Sequence, residues 1–242
     1  MAGRDLETGL PGRRLDHVFF SGMALLMLAT VFVGFSRSYY LAGVFRAPLP
    51  NPLIHAHGAA FSCWILLLVA QTSLVSARRL DIHRRLGMAG FLLACLMVTL
   101  GVWAGTDALA RASPVDGGAR SFYIIPLTDM LAFATLVAVA FRERRNPAAH
   151  KRLILIATTA LMIAAVARFP FELVLGDAPI ATLFTYLLLA MLVAYDLWSM
   201  RKVHRATIWA TVFLIAVQWI RVPIGRTAAW HGFAGWVQAA AR

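Results

Sequence analysis

The chain has 242 residues, of which 60% are hydrophobic and only 14% charged, and its mean hydropathy is +0.73. That balance excludes an ordinary soluble domain and predicts a protein that lies in a lipid bilayer. The net charge of +12 does not predict nucleic-acid binding, because the basic residues stand in short clusters between long apolar runs.

Seven apolar runs are long enough to cross the roughly 30 Å hydrocarbon core of a bilayer, which needs about 20 residues. The first follows a basic segment but is too long for a signal peptide and has no small-residue cleavage site after it, so we interpret it as a retained helix. The last is the shortest and contains Gln218, so six helices remain an alternative. The runs cover residues 18–36, 53–76, 86–106, 122–141, 151–169, 179–198 and 206–222.

The sequence therefore predicts an all-α fold, a polytopic transmembrane helical bundle of about seven helices. Most of the 23 Lys and Arg residues fall on one side if the N-terminus is inside. Because positive residues favour the cytoplasmic side, we expect the N-terminus inside and the C-terminus outside, in a bacterial inner (cytoplasmic) membrane. The main inner clusters lie within residues 78–85, 142–152 and 201–205.

Local signals indicate where helices begin and where they can pack closely. Asp81 is a candidate N-cap of the third helix, and Asn146 followed by Pro147 is typical of an N-cap and a first helical position. Gly101 and Gly105 would let neighbouring helix backbones approach closely in lipid.

The end of the chain carries a separate signal. After Pro223 the sequence has Trp230, Phe233 and Val237 at helical spacing, with Trp236 beside them. This pattern predicts a helix that lies in the outer membrane interface and is anchored by tryptophan. We therefore expect a transmembrane bundle over residues 1–222 and an interfacial amphipathic tail over residues 223–242.

Three histidines stand at corresponding places on the inner side, just before the third, fifth and seventh apolar runs: His83, His150 and His204. The repeat favours a shared role as hydrogen-bond donors to anionic lipid headgroups. The competing interpretation makes His83 and His150 the axial ligands of a haem b held between helices, since neutral imidazole is a common iron ligand.

The outer side has a different group of polar residues. His55 and His57 precede the second apolar run and, with Asp129, are candidate ligands for zinc or iron. On a regular helix two residues that are two apart point about 200° from each other, so His55 and His57 can share a metal only where the backbone is irregular.

Asp129 lies well inside the fourth run, where an unpaired carboxylate is costly, so we expect it to face the bundle interior. If the helix faces converge, a polar pocket opens to the outer side. The alternative is a structural ion pair between Asp129 and Arg168 with no ligand. The pocket residues would be His57, Asp129, Arg168, Glu172 and Arg221.

The motifs "HAHG", "IHRRLG" and "AHKRL" with a carboxylate in the fourth run resemble those of uncharacterised bacterial multi-pass membrane proteins, and loosely those of the membrane cytochrome b families. That resemblance implies that paired histidines on facing helices hold haem, and it points to His57, His83 and His150. The chain departs from the pattern because its histidines do not form clear pairs at equal depth in both leaflets.

A second resemblance is to the seven-helix metal-dependent lipid hydrolases and their receptor-like relatives, which use several histidines and one aspartate. Here His57, Asp129 and His231 share a side, but the HxxxH motif of the last helix is absent. Retinal proteins are excluded because the seventh run has no lysine for a Schiff base.

Three functions follow as hypotheses. The first is a haem-binding or redox-linked membrane protein, and the second is a metal-dependent membrane enzyme that uses His57 and Asp129. The third is a non-catalytic accessory subunit or assembly factor that partners other membrane subunits. The lipid bilayer, with its anionic headgroups, is the expected partner in all three.

Overall fold

The computed structural model describes residues 11–48, 50–171 and 178–242, and within these the secondary structure is helical with no strand. Seven helices are long and apolar enough to span a membrane, as the sequence predicts. In chain order the helices are α1 (Pro11–Phe35), α2 (Pro52–Ser76), α3 (Leu80–Arg111), α4 (Gly117–Arg142), α5 (Pro147–Val166), α6 (Ala178–Met200), α7 (Arg205–Gly225) and α8 (Ala228–Ala240). A π-helical turn over Ser36–Tyr40 extends α1, and a 3₁₀ turn over Glu143–Arg145 follows α4.

Helix ends agree in part with the predicted caps. Asn146 is the N-cap of α5, where its side chain accepts a hydrogen bond from the Ala149 amide at 3.3 Å and Pro147 opens the helix. The prediction for Asp81 is wrong, because α3 already begins at Leu80. Asp81 lies in the first turn and forms an exposed ion pair with Arg79 at 3.6 Å.

Helix α5 forms the centre of the bundle and packs against α1, α4, α6 and α7. In its apolar segment 78% of residues are buried, against 22–44% in the other six spans. Small residues explain how closely the helices approach. A Cβ atom on Gly34 of α1 would lie 2.1 Å from the Ala165 carbonyl oxygen of α5, so these two backbones touch. Gly101 of α3 leaves room for a side chain, because a Cβ there would lie 2.3 Å from the Met130 sulfur of α4.

The short connections 77–79, 143–146 and 201–204, together with the start of α1, lie at one end of the bundle, which we call the basic end. The α1–α2, α3–α4 and α7–α8 connections lie at the other, the α8 end. This alternation follows from antiparallel neighbours joined by short loops. All the candidate residues therefore belong to one end or the other.

The C-terminal segment folds as the helix α8, which packs against α3 and α4. Its buried Gln238 donates to the Leu109 carbonyl at 2.9 Å, and the Trp230 indole donates to the Arg120 carbonyl at 2.8 Å. Helix α7 continues through Pro223 to Gly225, so it passes the predicted boundary at residue 222. Phe233 and Trp236 remain exposed, and the interfacial position of α8 stays a prediction.

Candidate functional site

A cavity of about 1010 Å³ opens at the basic end, walled by residues of α1 to α5. Its deeper wall is apolar and aromatic, with Phe20, Trp64, Phe91 and Phe141. Its polar lining comes from the first turns of helices and from the end of α2. A large apolar space with a few convergent polar groups is the usual form of a small-molecule or cofactor site.

His83 and His150 both line this cavity, one from α3 and one from α5. Each is the fourth residue of its helix, since α3 begins at Leu80 and α5 at Pro147. Both residues that the sequence names as a candidate haem pair thus lie on the wall of one cavity.

The ring of His150 is held in one orientation. Its Nδ1 lies 2.8 Å from the Ala140 carbonyl oxygen, which only accepts, so Nδ1 carries the proton and Nε2 keeps a free lone pair. This is the arrangement by which metal-ligating histidines are commonly oriented. His83 has a buried Nδ1 with no hydrogen-bond partner among the described residues, while its backbone carbonyl accepts from Gln71 Nε2 at 3.2 Å.

Two further ionisable residues line the cavity that the sequence did not assign to a site. Asp16 of α1 accepts a hydrogen bond from Lys151 of α5 at 2.5 Å, and the Tyr195 hydroxyl of α6 also donates to it. Lys151 in addition lies 4.6 Å from the centre of the Phe20 ring. These contacts join residues more than 130 positions apart in the chain, so no local sequence signal reveals them.

His204 has a different structural role from His83 and His150, the other two repeated histidines. It is the N-cap of α7, where its Nδ1 accepts a hydrogen bond from the Ala206 amide at 3.1 Å. Burial, together with the nearby Arg152 guanidinium, lowers the pKa of His204, which favours the neutral ring that can accept this bond. Histidines at corresponding positions in the sequence therefore have two distinct structural roles.

A buried ion pair fixes the basic end of α5. Arg152 is 2% and Asp196 0% exposed, and Arg152 Nη2 and Nε donate to one carboxylate oxygen at 2.6 and 2.9 Å. The other carboxylate oxygen accepts from the Thr207 hydroxyl at 2.6 Å and from the His204 amide at 3.0 Å. This network ties α5, α6 and α7 together and holds the turn that carries His150.

At the α8 end, the partner of Asp129 differs from the predicted one. Asp129 accepts from Arg221 of α7 at 2.5 Å, and both side chains are buried. The expected pair with Arg168 is wrong, because Arg168 donates to the Ala164 carbonyl and lies over the Phe35 ring. Glu172, the fifth predicted pocket residue, lies outside the described residues.

The predicted metal ligands His55, His57 and Asp129 are not gathered into one group. His55 is exposed beside Tyr39, and His57 packs against the Phe61 ring at 4.2 Å. Within residues 11–48, 50–171 and 178–242, no three His, Cys, Asp or Glu side chains are placed to share a metal ion. His231, part of the hydrolase resemblance, is hydrogen-bonded to Ser121.

We predict that Arg221→Gln destabilises the protein by about 2 kcal/mol, since it leaves the buried Asp129 carboxylate without its charged donor. Arg168→Gln is the matched control, as it removes the same charge from a residue that pairs with no carboxylate among those described. Thermal unfolding in detergent measures both. Equal losses in the two variants would show that Arg221 has no special role.

Of the two polar regions, the basic-end cavity has the features of a binding site, whereas the Asp129–Arg221 pair is engaged in joining α4 to α7. The cavity offers three imidazoles, those of His17, His83 and His150, a carboxylate held by Lys151 and Tyr195, and an aromatic wall. The chain matches no protein-family model, no curated protein and no solved structure.

Proposed function

We propose that this integral membrane protein binds a haem b in the basic-end cavity, with His83 and His150 as axial ligands, and takes part in electron transfer. The observation that carries the proposal is that His83 of α3 and His150 of α5 line one cavity with an aromatic wall, where His17 of α1 is the third histidine. The loose resemblance of the motifs "IHRRLG" and "AHKRL" to those of the membrane cytochromes b agrees with it.

The residues that line the basic-end cavity fit a haem b. A haem needs two protein ligands at most, because the porphyrin supplies the other four donors, so the pair suffices without a larger cluster. His150 offers Nε2, while His83 has a buried ring nitrogen with no partner among the described residues. A cavity of about 1010 Å³ with an aromatic wall accommodates a large planar apolar molecule.

The chain would tune the bound group by orientation, burial and charge. Bound haem supplies one-electron redox chemistry. The Ala140 carbonyl fixes the His150 ring and makes its Nε2 more basic, and the buried Arg152–Asp196 pair holds the helix turn beneath it. Apolar wall residues exclude water, while Arg78 at the cavity wall would meet the anionic edge of the group.

We also infer that the protein lies in a bacterial inner membrane with the basic end in the cytoplasm. The support is the concentration of Lys and Arg in the connections of that end. In this orientation the cavity opens toward the cytoplasmic side and α8 lies at the outer interface. Anionic headgroups would contact the basic connections, and a partner membrane subunit would supply or accept the electron.

The test is an absorption spectrum of detergent-purified protein, oxidised and then reduced with dithionite, with haem extraction in parallel. We expect a Soret band that shifts on reduction and that is lost or strongly weakened in His83→Ala and His150→Ala. Gly87→Leu, which adds a side chain to the cavity wall one helical turn from His83, should also lower the haem content. His55→Ala, an exposed histidine at the α8 end, is the matched control and should keep the full band.

Two results would reject haem binding by this pair. One is a colourless wild-type protein with no extractable haem, from cells supplied with a haem precursor. The other is a Soret band that survives both histidine substitutions. Gel filtration of each variant separates loss of haem from loss of fold.

A further inference from the structure

A groove also opens at the basic end, on the other side of α5 from the basic-end cavity. It has a volume of about 800 Å³ and lies between the α4–α5 and α6–α7 connections. No residue lines both spaces. Whatever occupies this groove is therefore independent of the proposed haem.

The rim of the groove is cationic. Lys202 and Arg205 line it, and both are exposed. No carboxylate lies within ion-pair distance of either, among the side chains that the structure describes. The one acidic residue of the lining, Glu143, already accepts a hydrogen bond from the Asn146 side chain at 3.3 Å. This bond leaves the negative charge of Glu143 in place, so the lining has two cationic side chains against one anionic side chain and is positive on balance.

The floor of the groove is apolar and reaches into the depth of the membrane span. Leu153 is 1% exposed, whereas Trp209 is 41% exposed, so the groove is closed toward α5 and open along α7. At 1.5 Å per residue, these side chains lie about 6 to 9 Å inside the starts of their helices. A molecule with a polar head and an apolar chain would match both the cationic rim and the apolar floor of the groove.

We propose that this groove binds an anionic phospholipid of the leaflet at the basic end, with the headgroup phosphate at Lys202 and Arg205 and an acyl chain along the exposed face of Trp209. Charge complementarity favours this occupant over a neutral lipid, because clustered Lys and Arg at the end of membrane helices attract acidic headgroups. The groove lies where a lipid of that leaflet has its headgroup and upper chain, so the occupant is already present in the bilayer.

The test compares phosphatidylglycerol with phosphatidylcholine that has the same acyl chains. Full-length protein is titrated with each lipid in detergent, and the bound lipid is counted by native mass spectrometry. We expect one tightly retained phosphatidylglycerol, and Lys202→Gln/Arg205→Gln should weaken its binding on the order of tenfold or more. Trp209→Ala should weaken it as well, without changing the charge.

The control is Arg84→Gln/Arg85→Gln, which removes two exposed charges from the same end but outside the groove. It should leave the tightly bound lipid in place. Equal weakening by both double variants would mean that the lipid responds only to total charge and would overturn the site, as would equal retention of phosphatidylcholine. Thermal unfolding in phosphatidylcholine alone shows whether each variant keeps its fold.

Discussion

Asp196→Ala is expected to cost about 3–5 kcal/mol of stability, because it leaves the Arg152 guanidinium buried without a counter-charge. Arg152 is 2% exposed and has no route to water. The same substitution removes the acceptor of the Thr207 hydroxyl and of the His204 amide, so three helices lose their common contact. Reversible unfolding in mixed detergent micelles measures the loss.

Two companion variants separate charge burial from other effects. Asp81→Ala removes an aspartate whose pair with Arg79 is more than half exposed, and it should cost less than about 1 kcal/mol. Arg152→Met/Asp196→Leu removes both buried charges and should recover part of the stability lost in Asp196→Ala. If Asp196→Ala cost no more than Asp81→Ala, the Arg152–Asp196 pair would not stabilise the bundle.

If the haem proposal holds, Asp196→Ala should also reduce haem content, since the Arg152–Asp196 pair anchors the turn that carries His150.

The spans were predictable from the sequence because lipid imposes a strict local rule. Each crossing needs a continuous apolar run, so the signal lies in consecutive residues of the sequence. Asn146 and Pro147 were predictable for the same reason, since a cap depends on residues three positions apart. Asp81 failed as a cap because α3 begins one residue before it and uses no side-chain cap at all.

Partners across helices were not predictable, because the rotation of each helix about its axis is set by packing. Arg168 and Arg221 both lie toward the α8 end, and only the assembled bundle shows that Arg221 faces Asp129. The repeated histidines were equally unpredictable. His150 and His204 stand at equivalent places before their apolar runs, but His204 caps α7 whereas His150 lines a cavity.

Gly34 was not identified from the sequence, although the contact it permits is the closest between α1 and α5. A Cβ at this position would stand 2.1 Å from the Ala165 carbonyl oxygen and 2.7 Å from its carbonyl carbon. Both are backbone atoms, so no side-chain rotation relieves the clash and the helices must separate. Gly34→Val is therefore expected to cost about 3 kcal/mol, at the upper end for overpacked cores, and to lower the yield of folded protein.

Gly22 of the same helix provides the matched control, because a Cβ there meets nothing within 4 Å. Gly22→Ala should raise stability by up to about 1 kcal/mol, since alanine is the better helix former. Thermal unfolding of the two variants beside the wild type gives both values. A Gly34→Val protein as stable as the wild type would show that α1 and α5 do not approach as closely as described.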